Sequence, residues 1–351
     1  MRVADRSVTR TYLSQLNGAK NDFMTTQAQI YSGNRFTKLS DDVSSGVRVL
    51  NVRSDLYKSQ TYLSNVQEIT DELSVAETAL LSMQDILTNV HELALAALNE
   101  DKETNASVYA TEISSLKDQL LLYANTQFGN TFTFGGSNTS HTEPFTLDEN
   151  GYMLYNGIPV SDIQKADATD ATTYDIEEGS YFYIDPTSGD LVDIPMSGDI
   201  YMDVGLGIKL SEGQVTGNSC ILISFSGLDI FGFGTDEDGF SNNIYNILND
   251  LETAVRDYDT SAMSDLDLKL TDLRDKFLIN ITDIGSKTKY LNTIETRTEA
   301  NIDMYKITID NLMGTNDEEA ISTLAMNEYV LQAIMQMGSR VIPNTLMDFI
   351  R

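Results

Sequence analysis

Proline and glycine are segregated in this chain, and that segregation decides which parts of it can be helical. Four of the five prolines, Pro144, Pro159, Pro186 and Pro195, fall in one central stretch, and sixteen of the 22 glycines lie from Gly129 to Gly239. Outside it stand only Gly18, Gly33 and Gly46 on one side, and Gly285, Gly314, Gly338 and Pro343 on the other. Proline removes a backbone donor and clashes with the preceding turn, and glycine costs a helix interior about 1 kcal/mol. The flanks are therefore expected to be helical and the centre to be turn-rich strand.

The flanks carry a coiled-coil period. Tyr12, Leu16, Ala19, Phe23, Thr26 and Ile30 step alternately by four and three, the spacing that keeps one face on a partner helix. A second segment, from about Ser44 to Asn99, carries Val49, Val52, Leu56 and Leu63, then slips phase and continues through Ile69, Leu73, Ala76, Leu80, Met83, Leu87, Val90 and Ala94. As one helix from Val52 to Leu98 it would be roughly 70 Å long, a rod. A third runs through Tyr109, Ile113, Leu116, Leu120 and Tyr123. Beyond the centre, Ile244 to Val255 starts a helix, and Met263 to Leu312 carries the longer pattern. Gly314-Thr315-Asn316-Asp317 reads as a helix stop and restart. A last helix holds Ile321, Leu324, Leu331, Ile334 and Met335, with Pro343 expected to end or kink it.

The central segment reads as hairpins. Asn156-Gly157 between Tyr155 and Ile158 suits a type I′ turn. Phe145 to Tyr155 folds about Glu149-Asn150-Gly151, and Tyr181 to Ile184 pairs with Leu191-Val192 across Asp185 to Asp190. The expected architecture is mainly α with a β-rich insertion: a long antiparallel helical bundle from both termini plus a central β domain. Its parts are terminal assembly helices at 1–43 and 313–351, a helical rod domain at 44–136 and 240–312, and a β-rich domain at 137–239. The stripes nearest the ends contain gaps at Thr9, Thr26, Glu328 and Thr345. Such helices are expected to be labile alone and to fold fully on assembly.

Chemistry is sparse. The 53 acids against 23 bases give a net charge of −30, which argues against nucleic acid and against an anionic membrane surface. No stretch approaches eighteen unbroken apolar residues, so no membrane span is expected. The N-terminus lacks the apolar core of a cleaved signal peptide. The lone Cys220 cannot form an internal disulfide, and it reads as a small buried hydrophobe. The two histidines, His91 and His141, lie in no motif with it. Asp236-Glu237-Asp238-Gly239 resembles a calcium loop without its closing glutamate and reads as an acidic turn. No nucleophile elbow, phosphate loop or metal motif occurs, so the reading is no enzyme, no catalytic residue, no cofactor and no metal.

Three strings are more specific. Ser32-Gly33-Asn34-Arg35-Phe36, then Ser40-Asp41-Asp42-Val43 and Gly46, resemble the segment shared by bacterial flagellins and flagellar hook-associated proteins, where an acid pair opens the long helix. Proline is common in that family where Val43 stands here. Ala124-Asn125-Thr126-Gln127-Phe128-Gly129-Asn130, followed by Thr131-Phe132-Thr133-Phe134-Gly135-Gly136, is similar to a helix-to-strand junction of the same family. The ending Leu346-Met347-Asp348-Phe349, with Glu328, Leu331, Gln332 and Met337 before it, resembles the hook–filament junction branch more than flagellin proper.

The resemblance implies a secreted structural subunit of the extracellular flagellum, exported by the flagellar type III route without a cleaved signal peptide. It implies a ring of copies between hook-associated protein 1 and the flagellin filament, and a cytoplasmic export chaperone on the C-terminal region, about Asp317 to Arg351. A flagellin filament subunit is the alternative. The assembly residues implied are Tyr12, Leu16, Phe23, Ile30, Arg35, Asp41, Asp42, Leu324, Leu331, Met335, Leu346 and Phe349.

Overall fold

The fold was analysed in a computed structural model, which describes residues 2–99, 105–137, 142–167, 170, 179–186, 188–194, 200–205, 210–211, 214–215, 220–222, 226–236 and 239–341. Seven helices and twelve short strands are named within these residues. The helices are α1 (Arg2–Ser32), α2 (Val43–Leu98), α3 (Ala106–Ala124), α4 (Gly227–Phe231), α5 (Ile244–Arg256), α6 (Thr260–Met313) and α7 (Asp317–Val341). All strands lie between α3 and α4. The chain is mainly helical with a β-rich insertion, as the proline and glycine distribution required. It divides into two compact units, one of Met1–Gln60 with Glu299–Arg351 and one of Thr61–Thr298. The division falls inside α2 and α6.

In the unit of residues 61–298, the repeats of α2 and α6 reach full burial. Val66, Leu73, Ala76, Leu80, Met83, Leu87, Val90 and Ala94 of α2 share a core with Met263, Leu270, Phe277, Ile284 and Leu291 of α6. The phase slip in the α2 pattern does not break that helix. Helix α3 packs on α5, whose first turn is capped by Asn243, its side chain accepting from the Asn246 amide. Between α3 and α5 lies a buried polar node. Lys117 Nζ donates to Asn249 Oδ1 (2.6 Å) and Glu252 Oε2 (2.8 Å) and stands over the Tyr245 ring. Burial alone pushes the Glu252 carboxyl up, but hydrogen bonds and charge from Lys117 and Arg256 outweigh it and hold it below its ordinary range.

The strands make small antiparallel sheets. β3 (Phe145–Leu147), β4 (Met153–Tyr155) and β5 (Ile158–Pro159) form one, with Tyr155 opposite Ile158 across Asn156 and Gly157. Both turn residues have positive φ, 50° and 85°, as a type I′ turn needs. β6 (Ile163–Lys165), β7 (Tyr181–Ile184) and β8 (Leu191–Asp193) form a second, with Ile184 opposite Leu191. Phe145, Phe134 and Phe231 meet edge to face beside α4. A β-carbon on Gly227 would stand 2.3 Å from the Phe145 ring, which reserves that place for glycine. Cys220 is buried, and the carboxylate of Asp236 in the acidic turn pairs with Lys269 and accepts the Phe240 amide. His91 Nδ1 lies 2.6 Å from Asp267 Oδ1, joining α2 to α6. His141 lies outside the described residues.

Candidate assembly interface

The predicted assembly residues belong to the other unit, and their placement starts from two turns. The turn from Gly33 to Asp42 lies against the Met313–Thr315 turn that separates α6 from α7. Arg35 N donates to Met313 O (2.7 Å), Thr315 N donates to Gly33 O (3.0 Å), and Asn34 bridges Gly314 antiparallel. Gly33, with φ +64°, reverses the chain after α1. The Arg35 guanidinium reaches Asp42 (3.1 Å), Ser45 Oγ (3.4 Å) and Leu312 O (3.4 Å). It therefore holds a carbonyl near the end of α6 and the acid that opens α2.

Asp42 and Asp41 divide their work. Asp42 Oδ1 accepts the Ser45 amide (3.0 Å), which caps α2. The bonds from Ser45 lead the influences that hold its carboxyl below the ordinary range, and Arg35 adds to them. Asp41 instead braces the turn, accepting from Lys38 N (3.4 Å) and Ser40 Oγ (3.2 Å). Beneath the clasp Phe36, Val49 and Met313 form a small buried cluster with Ile309 and Leu312 against it. A β-carbon on Gly46 would stand 3.2 Å from the Leu39 side chain, tighter than ordinary contact, so the glycine eases the approach of the turn to α2.

From the clasp, α1 and α7 run antiparallel. Asn327 Nδ2 donates to Thr26 Oγ1 (3.0 Å) near one end of the pair. At the other, a β-carbon on Gly338 would stand 2.0 Å from the Tyr12 hydroxyl. Tyr12, Leu16, Phe23 and Ile30 form the half-buried inner face of α1, with Ala19 and Thr26 buried between them. The inner face of α7 is Ala320, Leu324, Asn327, Leu331, Ile334 and Gly338, again stepping by four and three. Thr26 is thus no gap in the stripe: it is 6% exposed and hydrogen-bonded across the pair. Met335 and Ile321, which belong to the sequence-predicted stripe, are exposed, because α7 is turned so that Asn327 and Gly338 face α1. Leu346 and Phe349 lie outside the described residues.

The pair leaves apolar flanks open. Met24, Tyr31 (85% exposed), Ile321, Met326, Tyr329 (70%), Met335 and Met337 all face solvent. Single exposed apolar side chains are ordinary on a protein surface; here several stand on the same two helices. Among the described residues no cluster of three or more metal-ligating side chains occurs, and no helix is long and apolar enough to cross a membrane.

Residues 5–139 match the bacterial flagellin N-terminal helical region, a match that takes in most of α1, the clasp turn, α2 and α3. The Ser32–Asp42 string, which resembles the flagellin-like segment, falls inside the matched region. The chain also resembles flagellar hook-associated protein 3: it is 26% identical to that protein of Escherichia coli (strain K12) over 156 residues, 44% of this chain and 49% of the relative. The match thus spans about half the length of that curated relative. Among solved structures, a protein described as a flagellar hook-associated protein from Vibrio parahaemolyticus shares the fold with a TM-score of 0.54 at 18% identity, covering 78% of this chain and 100% of that one. Flagellar hook associated protein-3 from Legionella pneumophila overlays with a TM-score of 0.48 at 17% identity, over 75% of this chain and 98% of that one.

Proposed function

We propose that this chain is a structural subunit of the bacterial flagellum that assembles through its terminal helices at the hook–filament junction. In that role, copies form a ring, with hook-associated protein 1 on the hook side and flagellin on the other. The observation that carries the reading is the half-finished α1–α7 pair: a regular inner seam beside flanks of exposed Met, Tyr, Ile and Val. Apolar surface taken from water is worth about 25 cal/mol per Å2, and neighbouring copies would supply the cover. Less the cost of ordering the ends, that burial drives association.

The clasp gives the assembly a fixed base. Arg35, Asp42 and the Met313–Thr315 backbone fix where the terminal helices start, so each copy presents them alike. The terminal helices are labile in the isolated subunit and complete their packing in the ring. Before assembly, an export chaperone covers the amphipathic C-terminal region, about Asp317 to Arg351.

Deleting the gene tests the junction role. The expected result is hooks without filaments, with flagellin released to the medium. Normal filaments on motile cells would overturn it.

A further inference from the structure

Burial of apolar surface is non-directional. An α1 stripe with a four-three period could therefore pair with its own α7, with another copy's α1, or with another copy's α7 in a shifted register. The clasp fixes α1 and α7 of one chain only where they leave the turns, through Thr315 and Gly33. Along the seam, choice of partner has to come from contacts that only one partner satisfies.

The seam holds two. Thr26 is buried, and its hydroxyl donates to Asp22 O (3.0 Å) while accepting from Asn327 Nδ2 (3.0 Å). The same amide lies 3.4 Å from Asp22 O. Asn327 is half-buried in the seam, and without such acceptors its amide would give up part of its hydration with nothing in return. About four turns along α1 and three along α7, the Tyr12 hydroxyl occupies the space that any β-carbon at Gly338 would fill. A second α1 offers neither an amide in its stripe nor a glycine, since Gly18 is exposed. A second α7 offers neither the Thr26 hydroxyl nor the Tyr12 ring.

We propose that Thr26–Asn327 and Tyr12–Gly338 are the partner-specifying contacts of assembly, by which α1 selects an α7 in this register and rejects like helices of neighbouring copies. A single polar residue in an apolar seam fixes coiled-coil register and partner at some expense of stability. The meaning of that selectivity for ring building rests on the proposed junction role, but the selectivity itself does not.

The test uses the full chain with Cys220→Ala, Leu16→Cys and Ile334→Cys. The alignment set by the two contacts brings Leu16 level with Ile334, so oxidation should give mainly an intrachain disulfide, read on a non-reducing gel. Adding Thr26→Val and Asn327→Leu keeps the seam apolar and should raise the interchain fraction roughly threefold or more. The exchange Thr26→Asn with Asn327→Thr restores a hydroxyl–amide pair and should return the intrachain product. An unchanged interchain fraction in the apolar variant, no recovery in the exchanged one, or no intrachain disulfide in the starting chain would overturn the proposal. Because this is read on purified protein, its failure is distinct from that of the junction role, which the gene deletion tests.

Discussion

The same four-three period builds two different structures in this chain. In the unit of residues 61–298, Val66, Leu73, Leu80, Leu87 and Val90 have no exposed surface. In the α1–α7 pair, Leu16, Phe23, Leu324 and Leu331 follow the same spacing and remain half-buried. The sequence difference is small, but the number of partners is not. The α2 stripe shares one core with residues of α3, α5, α6 and the strands, whereas α1 and α7 pack chiefly on each other. A heptad stripe thus records that a helix wants neighbours, not how many the chain itself supplies.

The largest effects are expected in the completed unit. Lys117→Ala would leave Glu252 buried beside Asn249 with only Arg256 to oppose its charge, and should cost about 3–5 kcal/mol in urea unfolding. The pair also gives that unit an acid limit. The folded Glu252 carboxyl titrates below its ordinary 4.5, so its contribution is complete above about pH 4.5 and is lost as pH falls through the lower folded value. Unfolding midpoints measured from about pH 6 to about pH 3 should fall less in a Lys117→Met, Glu252→Gln chain. Leu80→Ala should follow at about 2–5 kcal/mol, since a wholly enclosed side chain leaves a cavity.

Smaller effects sharpen the contrast. Asp42→Ala removes the α2 cap and should cost about 1 kcal/mol, with Arg35 losing its carboxylate partner as well. Met335→Ser should change the stability of the isolated subunit by less than about 0.5 kcal/mol. It should nevertheless impair filament attachment in cells, because the exposed flank matters only when a neighbour lies on it. A Met335→Ser subunit that supports normal filaments would remove that flank from the interface.

What the sequence made legible follows the same division. The helices, the Asn156-Gly157 hairpin and the Gly314 stop could be read because period, turn chemistry and capping are local signals. The orientation of α7 could not. A stripe drawn through the most apolar residues selects Ile321 and Met335, while the face on α1 runs through Asn327 and Gly338. Those two residues look like flaws until their partners, Thr26 and Tyr12, are known, and both partners lie about three hundred residues away in sequence. The four-three ladder starting from Ala320 was the available signal. The clasp escaped for a related reason: Arg35 and Asp42 stand in a recognisable string, but the carbonyl of Leu312 that Arg35 reaches across the clasp is backbone, which leaves no mark on residue type.

The central claim is that α1 and α7 are completed by neighbouring copies. Amide hydrogen exchange of the purified subunit tests it most directly, comparing residues 7–32 and 317–338 with residues 66–97. The account implies rapid exchange in the terminal pair and strong protection in α2, with the terminal pair becoming protected in assembled junctions. Equal, strong protection of both regions in the isolated subunit would contradict it.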